Sequence, residues 1–234
     1  MRTAHSAGEP PVLGFVHTVP LLVDVFAKLA SELLPGVRLL HILDQPLLVH
    51  VTERGSASTE DVERLEGHVR ALAGVGADVV LVTCSSLSPC VERFEASLPV
   101  PAVRIDRAMI ARAVAMGRRI GVAATVGSAL AATRQMLMAE AARTGREISM
   151  KEMLAEGGLA CLLAGDGAQH DLLVKQAILR LSDQVDVLVL AQASMDRALA
   201  ALLDGELKAR VLSSPRLALA DAGRLLARTG QDNP

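Results

Sequence analysis

The chain has 234 residues, of which 51% are hydrophobic and 21% are charged, and its formal net charge is −2. This balance predicts a globular protein of one or two domains with a substantial core, and it excludes a basic surface for nucleic acid. Only three residues are aromatic, all of them Phe, which excludes stacking platforms for nucleic-acid bases.

The N-terminal segment and the cysteines indicate the cellular compartment in which we expect the protein. Residues 1–11 are polar and lack the apolar core of a signal peptide, and no run of about 18 apolar residues occurs. We therefore expect no membrane partner. The cysteines, Cys84, Cys90 and Cys161, are an odd number without paired spacing, so the cytoplasm is the expected compartment.

Short apolar runs alternate with longer segments of helical periodicity, which predicts an α/β fold with parallel strands. The predicted strands of the first half are Val12–His17, Arg38–Leu43 and Asp78–Thr83. Its predicted helices are Leu21–Leu34, Ser58–Ala73 and a short one from Pro89 to about Ala96.

The second half follows the same plan. Its predicted strands are Arg119–Ala124, Glu147–Met150, Asp186–Ala191 and a last short one at Arg210–Ser213. Its predicted helices are Ser128–Thr144, about Gln169–Leu181, about Met195–Leu203 and Pro215–Thr229.

Two pairs of segments repeat at nearly the same spacing. Gly14–Val19 resembles Gly121–Val126, and Asp78–Leu87 resembles Asp186–Met195, with offsets of 107 and 108 residues. The repeat predicts two similar lobes, each a parallel sheet flanked by helices, related by a pseudo-two-fold axis with an active-site cleft between them. Residues 1–106 form the first predicted lobe, which residues 209–234 return to complete, and residues 107–208 form the second.

Polar turns follow the repeated strands. In parallel α/β sheets ligands bind beyond the carboxyl ends of the strands, so these turns are the candidate binding residues. They comprise His17 and Thr18, residues 83–86, residues 125–128 and residues 192–194. At equivalent places the first lobe has a thiol, Cys84, and the second has an amide, Gln192.

Cys84 is the leading candidate for chemistry. It ends an apolar strand and precedes small hydroxyl residues and turn amides, a setting that can lower the pKa of a thiol and make it a base or nucleophile. The alternative is a buried cysteine that serves as a small hydrophobic residue.

These residues carry a resemblance. Val82–Ser86, the matching turn of the second lobe and Gly121–Thr125 together resemble the aspartate/glutamate racemase family, which includes hydantoin racemases, maleate isomerases and arylmalonate decarboxylases. The resemblance spans nearly the whole chain. It implies a cofactor-free reaction in which two cysteines, one per lobe, flank the α-carbon of a small carboxylate substrate, and Cys84 matches the first of them.

Gln192 occupies the position of the second cysteine and departs from the family pattern. An amide donates hydrogen bonds but cannot serve as a general acid or base near neutral pH. Two-thiol racemisation is therefore in doubt. One thiol can still support isomerisation on one face, addition to a double bond, or decarboxylation, although the decarboxylases of this family have their cysteine in the second lobe.

The remaining turn residues are expected to hold the substrate. They are Thr18, Ser85, Ser86, Thr125, Val126, Gly127, Ser128, Ala193 and Ser194. The alternative role of the hydroxyl residues is turn formation and helix capping. His17 is a candidate replacement for the missing acid or base, and a structural histidine is the alternative.

Several other features are discounted as sites. Cys90 and Cys161 are expected to pack in helices, and Asp166 near His170 is expected to cap a helix, with a lid as the alternative. His41, His50 and His68 lack metal-ligand spacing, so no metal is expected, and no glycine pattern for a nucleotide occurs. Arg104, Arg107 and Arg134 are the nearest candidates to bind a second carboxylate.

Three functions remain open from the sequence. The first is an isomerase or racemase that acts beside the carboxylate of a small acid. The second is a decarboxylase or other lyase on the same scaffold, and the third is a catalytically silent protein that binds a small acid. No cofactor is expected, and the resemblance implies a homodimer.

Overall fold

The computed structural model describes residues 10–202 and 207–229. Its strands are β1 (Val12–His17), β2 (Arg38–Leu43), β3 (Val79–Val82), β4 (Ala102–Arg104), β5 (Arg119–Ala124), β6 (Ser149–Leu154), β7 (Val187–Leu190) and β8 (Arg210–Leu212). Its α-helices are α1 (Leu21–Leu33), α2 (Gln45–Arg54), α3 (Thr59–Gly74), α4 (Ser88–Phe94), α5 (Arg107–Met116), α6 (Gly127–Thr144), α7 (Gly158–Leu163), α8 (Gly167–Ser182) and α9 (Pro215–Thr229). Three 3-10 segments, Ser85–Leu87, Glu95–Ser97 and Ala193–Ala201, complete the list.

The strands form two sheets of four, and every pairing between neighbouring strands is parallel. The strand order is β2-β1-β3-β4 in one sheet and β6-β5-β7-β8 in the other. The predicted α/β fold, with two similar parallel sheets flanked by helices, is confirmed. Among the described residues, no helix is both long and apolar enough to cross a membrane.

The chain divides into two compact units, which among the described residues are 10–105 with 215–229, and 106–214. The C-terminal helix α9 packs against β1, β3 and β4 of the first unit. The strand β8 instead pairs with β7 in the second unit. The expectation that the chain returns to the first lobe from residue 209 is therefore wrong for β8, because β7 offers it a free parallel edge.

Some elements differ from the sequence-based expectations. The helices α2, α5 and α7 and the three-residue strand β4 were not expected, and β6 begins two residues later and extends four residues further than predicted. The segment after Gln192 is a 3-10 helix, and Leu203, the predicted end of that helix, lies outside the described residues. In α2, the carboxylate of Asp44 accepts a hydrogen bond from the Leu47 N–H, and Gly55 ends the helix in the left-handed region.

Part of the sequence repeat has a direct structural cause. The Asp78 carboxylate accepts a hydrogen bond from the N–H of Val12 at 2.9 Å, and the Asp186 carboxylate accepts one from the N–H of Arg119 at 2.9 Å. Both aspartates therefore hold the start of the central strand of their own sheet. Arg119 also makes a two-point ion pair with Asp186, at 2.9 and 2.6 Å.

The repeated glycines lie at close contacts between strand and neighbouring elements. A Cβ built on Gly14 would lie 3.1 Å from Leu72 and 3.2 Å from Ala77, and one on Gly121 would lie 3.1 Å from Val185. These distances are shorter than ordinary van der Waals contact. The segments that carry these neighbouring side chains therefore approach each sheet closely only because the strand has glycine there.

We expect Gly14→Ala to destabilise the protein by about 1–2 kcal/mol, because the added methyl group overpacks a closed contact. Gly67 is the matched control, since it lies exposed on α3 with no atom within 4 Å of a built Cβ. Gly67→Ala is expected to stabilise the helix by roughly 0.5–1 kcal/mol. Urea unfolding of the two variants measures both effects, and equal stability of the two would contradict this account of the repeat.

Candidate active site

The residues Cys84 and Gln192 occupy equivalent positions, each within its own unit. The N–H of Thr83 donates to Val16 at 3.0 Å, and the N–H of Ala191 donates to Ala123 at 2.9 Å. The next residue in each case has left the strand and stands just before a 3-10 segment, in extended backbone conformation. Each therefore lies at the carboxyl end of its sheet, where parallel α/β folds bind ligands.

The thiol of Cys84 is surrounded by hydrogen-bond donors. Its neighbours are the hydroxyl of Thr18 and the backbone N–H groups of Ser86 and Leu87, which all favour the thiolate. The Leu87 N–H also donates a hydrogen bond to the backbone carbonyl of Cys84 at 3.1 Å. Burial opposes them and is the larger cause, so the pKa of the Cys84 thiol is raised above its usual value. The expected lowering of this pKa is therefore wrong in direction, and near neutral pH Cys84 is a proton-bearing thiol.

The hydroxyl of Thr18 lies beside the sulfur of Cys84. Thr18 is 1% exposed, and its Oγ1 has no well-aligned hydrogen bond within the part of the chain that the structure describes. Among the described residues, its polar contact is with the sulfur of Cys84. A buried hydroxyl without a strong partner lowers the free energy of unfolding by about 1–3 kcal/mol. Such a group needs an explanation, and service to a ligand or a reacting atom is one.

His17 does not share this environment. It is fully buried, its ring lies edge to edge with His41 and stacks on Phe15 with centroids 5.4 Å apart, and it packs against Phe26 of α1. Burial, followed by the charge of His41, lowers the pKa of His17 to about 3. A group with this pKa stays neutral near pH 7, which favours the structural role over the acid or base role.

The hydrogen bonds of His17 define its tautomer. Thr83 Oγ1 donates its one proton to the carbonyl of Val16 at 3.1 Å, so it accepts from His17 Nδ1 at 2.8 Å. The other ring nitrogen, Nε2, then accepts from His41 Nδ1 at 3.0 Å. Both nitrogens of His17 are occupied, and the ring connects β1, β2 and β3 from one face of the sheet.

We expect this histidine to make stability depend on pH. The unfolded chain protonates His17 below about pH 6.5, whereas the folded chain does so only near pH 3, so between these values the unfolded state binds more protons. Stability therefore falls as the pH falls through this window, by at most about 5 kcal/mol. Urea unfolding from pH 7 to pH 4 measures the slope. His17→Asn is expected to flatten it, and an unchanged slope in that variant would contradict the assignment.

Gln192 is held by the turn that follows β5. Its Oε1 accepts hydrogen bonds from the N–H of Thr125 at 2.6 Å and from the Thr125 hydroxyl at 2.9 Å. Thr125 is the repeat equivalent of Thr18, so in each unit a threonine after the first central strand contacts the residue after the second. The carboxamide is half-buried, and it does not titrate.

Two further residues lie close to Thr125. Gly158 was missed from the sequence, and His170 was noted only beside a predicted helix cap. A Cβ built on Gly158 would lie 2.8 Å from Thr125 Cγ2 and 3.9 Å from His170 Cδ2, so α7 packs directly on the turn. His170 is fully buried, and its Nδ1 bonds to Asp171 at 3.0 Å. Asp171 also pairs with Arg197 at 2.8 Å, which ties α8 to the segment that follows Gln192. Neither a single glycine nor this histidine has a distinctive sequence signal.

The other predicted binding residues lie along the same turns. Ser85, Ser86, Ser128, Ala193 and Ser194 are buried, Val126 is half-buried and Gly127 is exposed. Val126 is the N-cap residue of α6, but its side chain makes no capping hydrogen bond. The Asp166 carboxylate does cap its helix, α8, because it accepts a hydrogen bond from the Gln169 N–H at 3.0 Å.

The predicted arginines and the other cysteines lie outside these contacts. Arg104 pairs with Glu92 at 2.9 Å, Arg134 pairs with Glu152 at 3.3 Å, and Arg107 is exposed. Cys90 is buried in α4 with its pKa raised to about 11 by burial, whereas Cys161 is only partly buried. Within the described ranges, no three His, Cys, Asp or Glu residues are grouped so that they could hold a metal ion.

One protein family matches most of the chain. The family described as Asp/Glu/Hydantoin racemase matches residues 18–222, which is most of the chain. No curated protein matches the sequence.

Solved structures share the fold at low sequence identity. A glutamate racemase isoform from Bacillus anthracis is 20% identical with a TM-score of 0.72, and the match covers 95% of this chain and 84% of that one. Allantoin racemase from Klebsiella pneumoniae is 17% identical with a TM-score of 0.67, covering 93% and 88%. An arylmalonate decarboxylase is 18% identical with a TM-score of 0.56, covering 92% of each chain.

Proposed function

Because the chain belongs to the Asp/Glu/hydantoin racemase family, we propose that it moves a proton at the carbon beside the carboxylate of a small acid. The reaction is of the isomerase type and needs no cofactor. Cys84 is its single catalytic thiol, so we expect the proton to be removed and returned on one face of the substrate rather than racemisation. The observation that carries the proposal is the position of Cys84, which is buried at the carboxyl end of β3 beside the Thr18 hydroxyl and the turn that follows the strand.

The environment of Cys84 supports proton transfer in both directions. The three donors stabilise a thiolate once it forms, and burial favours the thiol, so the two protonation states are closer in energy than burial alone would leave them. A thiolate that removes a proton from the substrate becomes the thiol, and the same thiol can return a proton to the carbon. Negative charge that develops on the substrate oxygens is stabilised by turn N–H groups and hydroxyls.

A decarboxylase is the second candidate, and one observation favours it. Cys84 is a thiol near neutral pH because its pKa is raised, and Gln192 does not titrate. When a carboxylate leaves as CO2, its electron pair stays on the α-carbon, and the Cys84 thiol donates a proton there and is later reprotonated by water. This reaction needs one proton donor and no base on a second face.

The experiment is proton NMR in D2O with aspartate, glutamate, 5-substituted hydantoins, maleate and phenylmalonate, each with wild type and with Cys84→Ala. Loss of an α-proton signal with an intact carbon skeleton, dependent on Cys84, identifies proton transfer of the isomerase type, and chiral analysis then shows whether the configuration is inverted. A decarboxylated product that depends on Cys84 identifies the lyase. Binding of these acids without any Cys84-dependent change would contradict both and identify a silent binding protein.

Location and assembly belong to the same proposal. The three free thiols suit a reducing compartment such as the cytoplasm. A homodimer is the assembly that the family resemblance implies, and analytical ultracentrifugation of the purified chain tests it.

A further inference from the structure

The orientation of the Gln192 carboxamide follows from its hydrogen bonds. One of its two terminal atoms lies 2.6 Å from the backbone nitrogen of Thr125. A backbone N–H can only donate, so this atom is the carbonyl oxygen. The amide nitrogen, Nε2, is therefore the atom turned away from Thr125, and the group presents N–H donors on that side.

The position of Thr125 is fixed in turn by close packing. Thr125 is 4% exposed, and the backbone of Gly158 at the start of α7 approaches its side chain so closely that a Cβ there would lie 2.8 Å from Cγ2 and 3.2 Å from Cβ. A methyl group on Gly158 would displace the threonine, and the carboxamide that it holds would turn with it. The donors of Gln192 thus have a direction set by the fold.

The local charge favours an anion at these donors. Residues 125–128 and 192–195 contain no carboxylate, and the next one along the chain, Asp196, accepts a hydrogen bond from the Ser213 hydroxyl. The carbonyl of Gln192 is already occupied by its two hydrogen bonds from Thr125. The turn also leads into α6, an 18-residue helix whose N-cap residue Val126 supplies no side-chain acceptor. A helix N-terminus adds a partial positive charge to whatever the amide binds.

We propose that Gln192 Nε2 binds a carboxylate oxygen of the ligand, and that Thr125 and Gly158 are the positioning residues that aim it. The ligand is a small acid, so the inference deepens the proposed function and rests on it for the class of ligand. In this arrangement Gln192 takes no part in proton transfer. It donates a hydrogen bond to the acid at the position that the sequence repeat makes equivalent to Cys84.

The test compares binding of phenylmalonate, maleate and aspartate, measured by NMR titration in the Cys84→Ala background so that no turnover interferes. Gln192→Glu keeps an acceptor for both Thr125 donors but replaces Nε2 with a second carboxylate oxygen. We expect it to weaken binding of the acid that binds best by at least tenfold, with the melting temperature unchanged within a few degrees. Gly158→Ala is expected to weaken binding in the same direction.

Gln184→Glu is the matched control, because Gln184 is exposed in the same unit and its carbonyl is bonded to Lys151. It makes the same change of charge and is expected to leave binding unchanged. Equal binding by the Gln192→Glu and Gln184→Glu variants, or no binding of any of the three acids, would overturn the inference. Binding that depends on Gln192 in a protein without turnover would leave the inference standing and contradict only the proposed function.

Discussion

Replacement of Cys84 by alanine is expected to lower the rate of α-proton exchange or decarboxylation by about 10²–10⁴-fold, the range for loss of a positioned proton-transfer group. The reason is that Cys84 is the titratable side chain at the carboxyl end of β3, and that the Thr18 hydroxyl and the turn N–H groups beside it favour its thiolate. Alanine removes the sulfur and leaves the packing of β3 almost unchanged. Initial rates in D2O, followed by NMR, measure the effect.

Cys161→Ala provides the control for loss of a thiol. Cys161 is a free, partly buried cysteine in α7 of the other unit, outside the contacts described for Cys84. Its replacement is expected to leave the rate within about twofold, because surface and half-buried substitutions away from a site have small effects. A rate in Cys84→Ala equal to that in Cys161→Ala would show that this thiol is not catalytic.

Replacement of Gln192 by cysteine is expected to give the protein a second proton-transfer group, and with it the ability to invert configuration. The wild-type amide cannot remove or return a proton near neutral pH, so exchange at the α-carbon should proceed with retained configuration. Since Gln192 and Cys84 occupy equivalent places in their own units, a thiol at position 192 restores the two-cysteine pattern of the family. The expected result is a gain of racemisation from an undetectable level, measured by chiral chromatography of the product.

Gln192→Ser tests whether a gain of inversion comes from the thiol or from the smaller side chain. Serine has a volume close to that of cysteine, but its hydroxyl does not titrate near neutral pH, so this variant should remain stereospecific. Inversion by both variants would mean that removal of the amide, rather than addition of a thiol, is what matters. Inversion already present in the wild type would mean that another group returns the proton.

Much of the fold follows from patterns in the chain. The repeats at Gly14 and Gly121, and at Asp78 and Asp186, have matching structural causes, since the glycines permit close packing and the aspartates hold the start of a strand. The strand β4 was missed because three residues are too few to show alternation. The path of β8 depends on a free sheet edge, which is a property of the folded unit and has no local signal.

The site was predictable in position and less so in detail. The turns after the strands could be located because parallel sheets bind ligands at that end. The environment of His17 could have been anticipated, since Phe15 lies two residues earlier and therefore on the same face of β1. The direction of the pKa shift of Cys84 could not, because it depends on how completely the helices bury the thiol. The roles of Gly158 and Thr125 rest on distances of a few ångströms, which no pattern encodes.

In the proposed reaction one thiol carries the proton transfer, and an amide stands in the place of the second thiol. The most direct test incubates single enantiomers of the accepted acid with wild-type protein in D2O and analyses the recovered compound by chiral chromatography with mass detection. We expect deuterium at the α-carbon with the starting configuration retained, or a single deuterated enantiomer after decarboxylation. Equal amounts of both enantiomers, formed at the rate of deuterium uptake, would contradict the account.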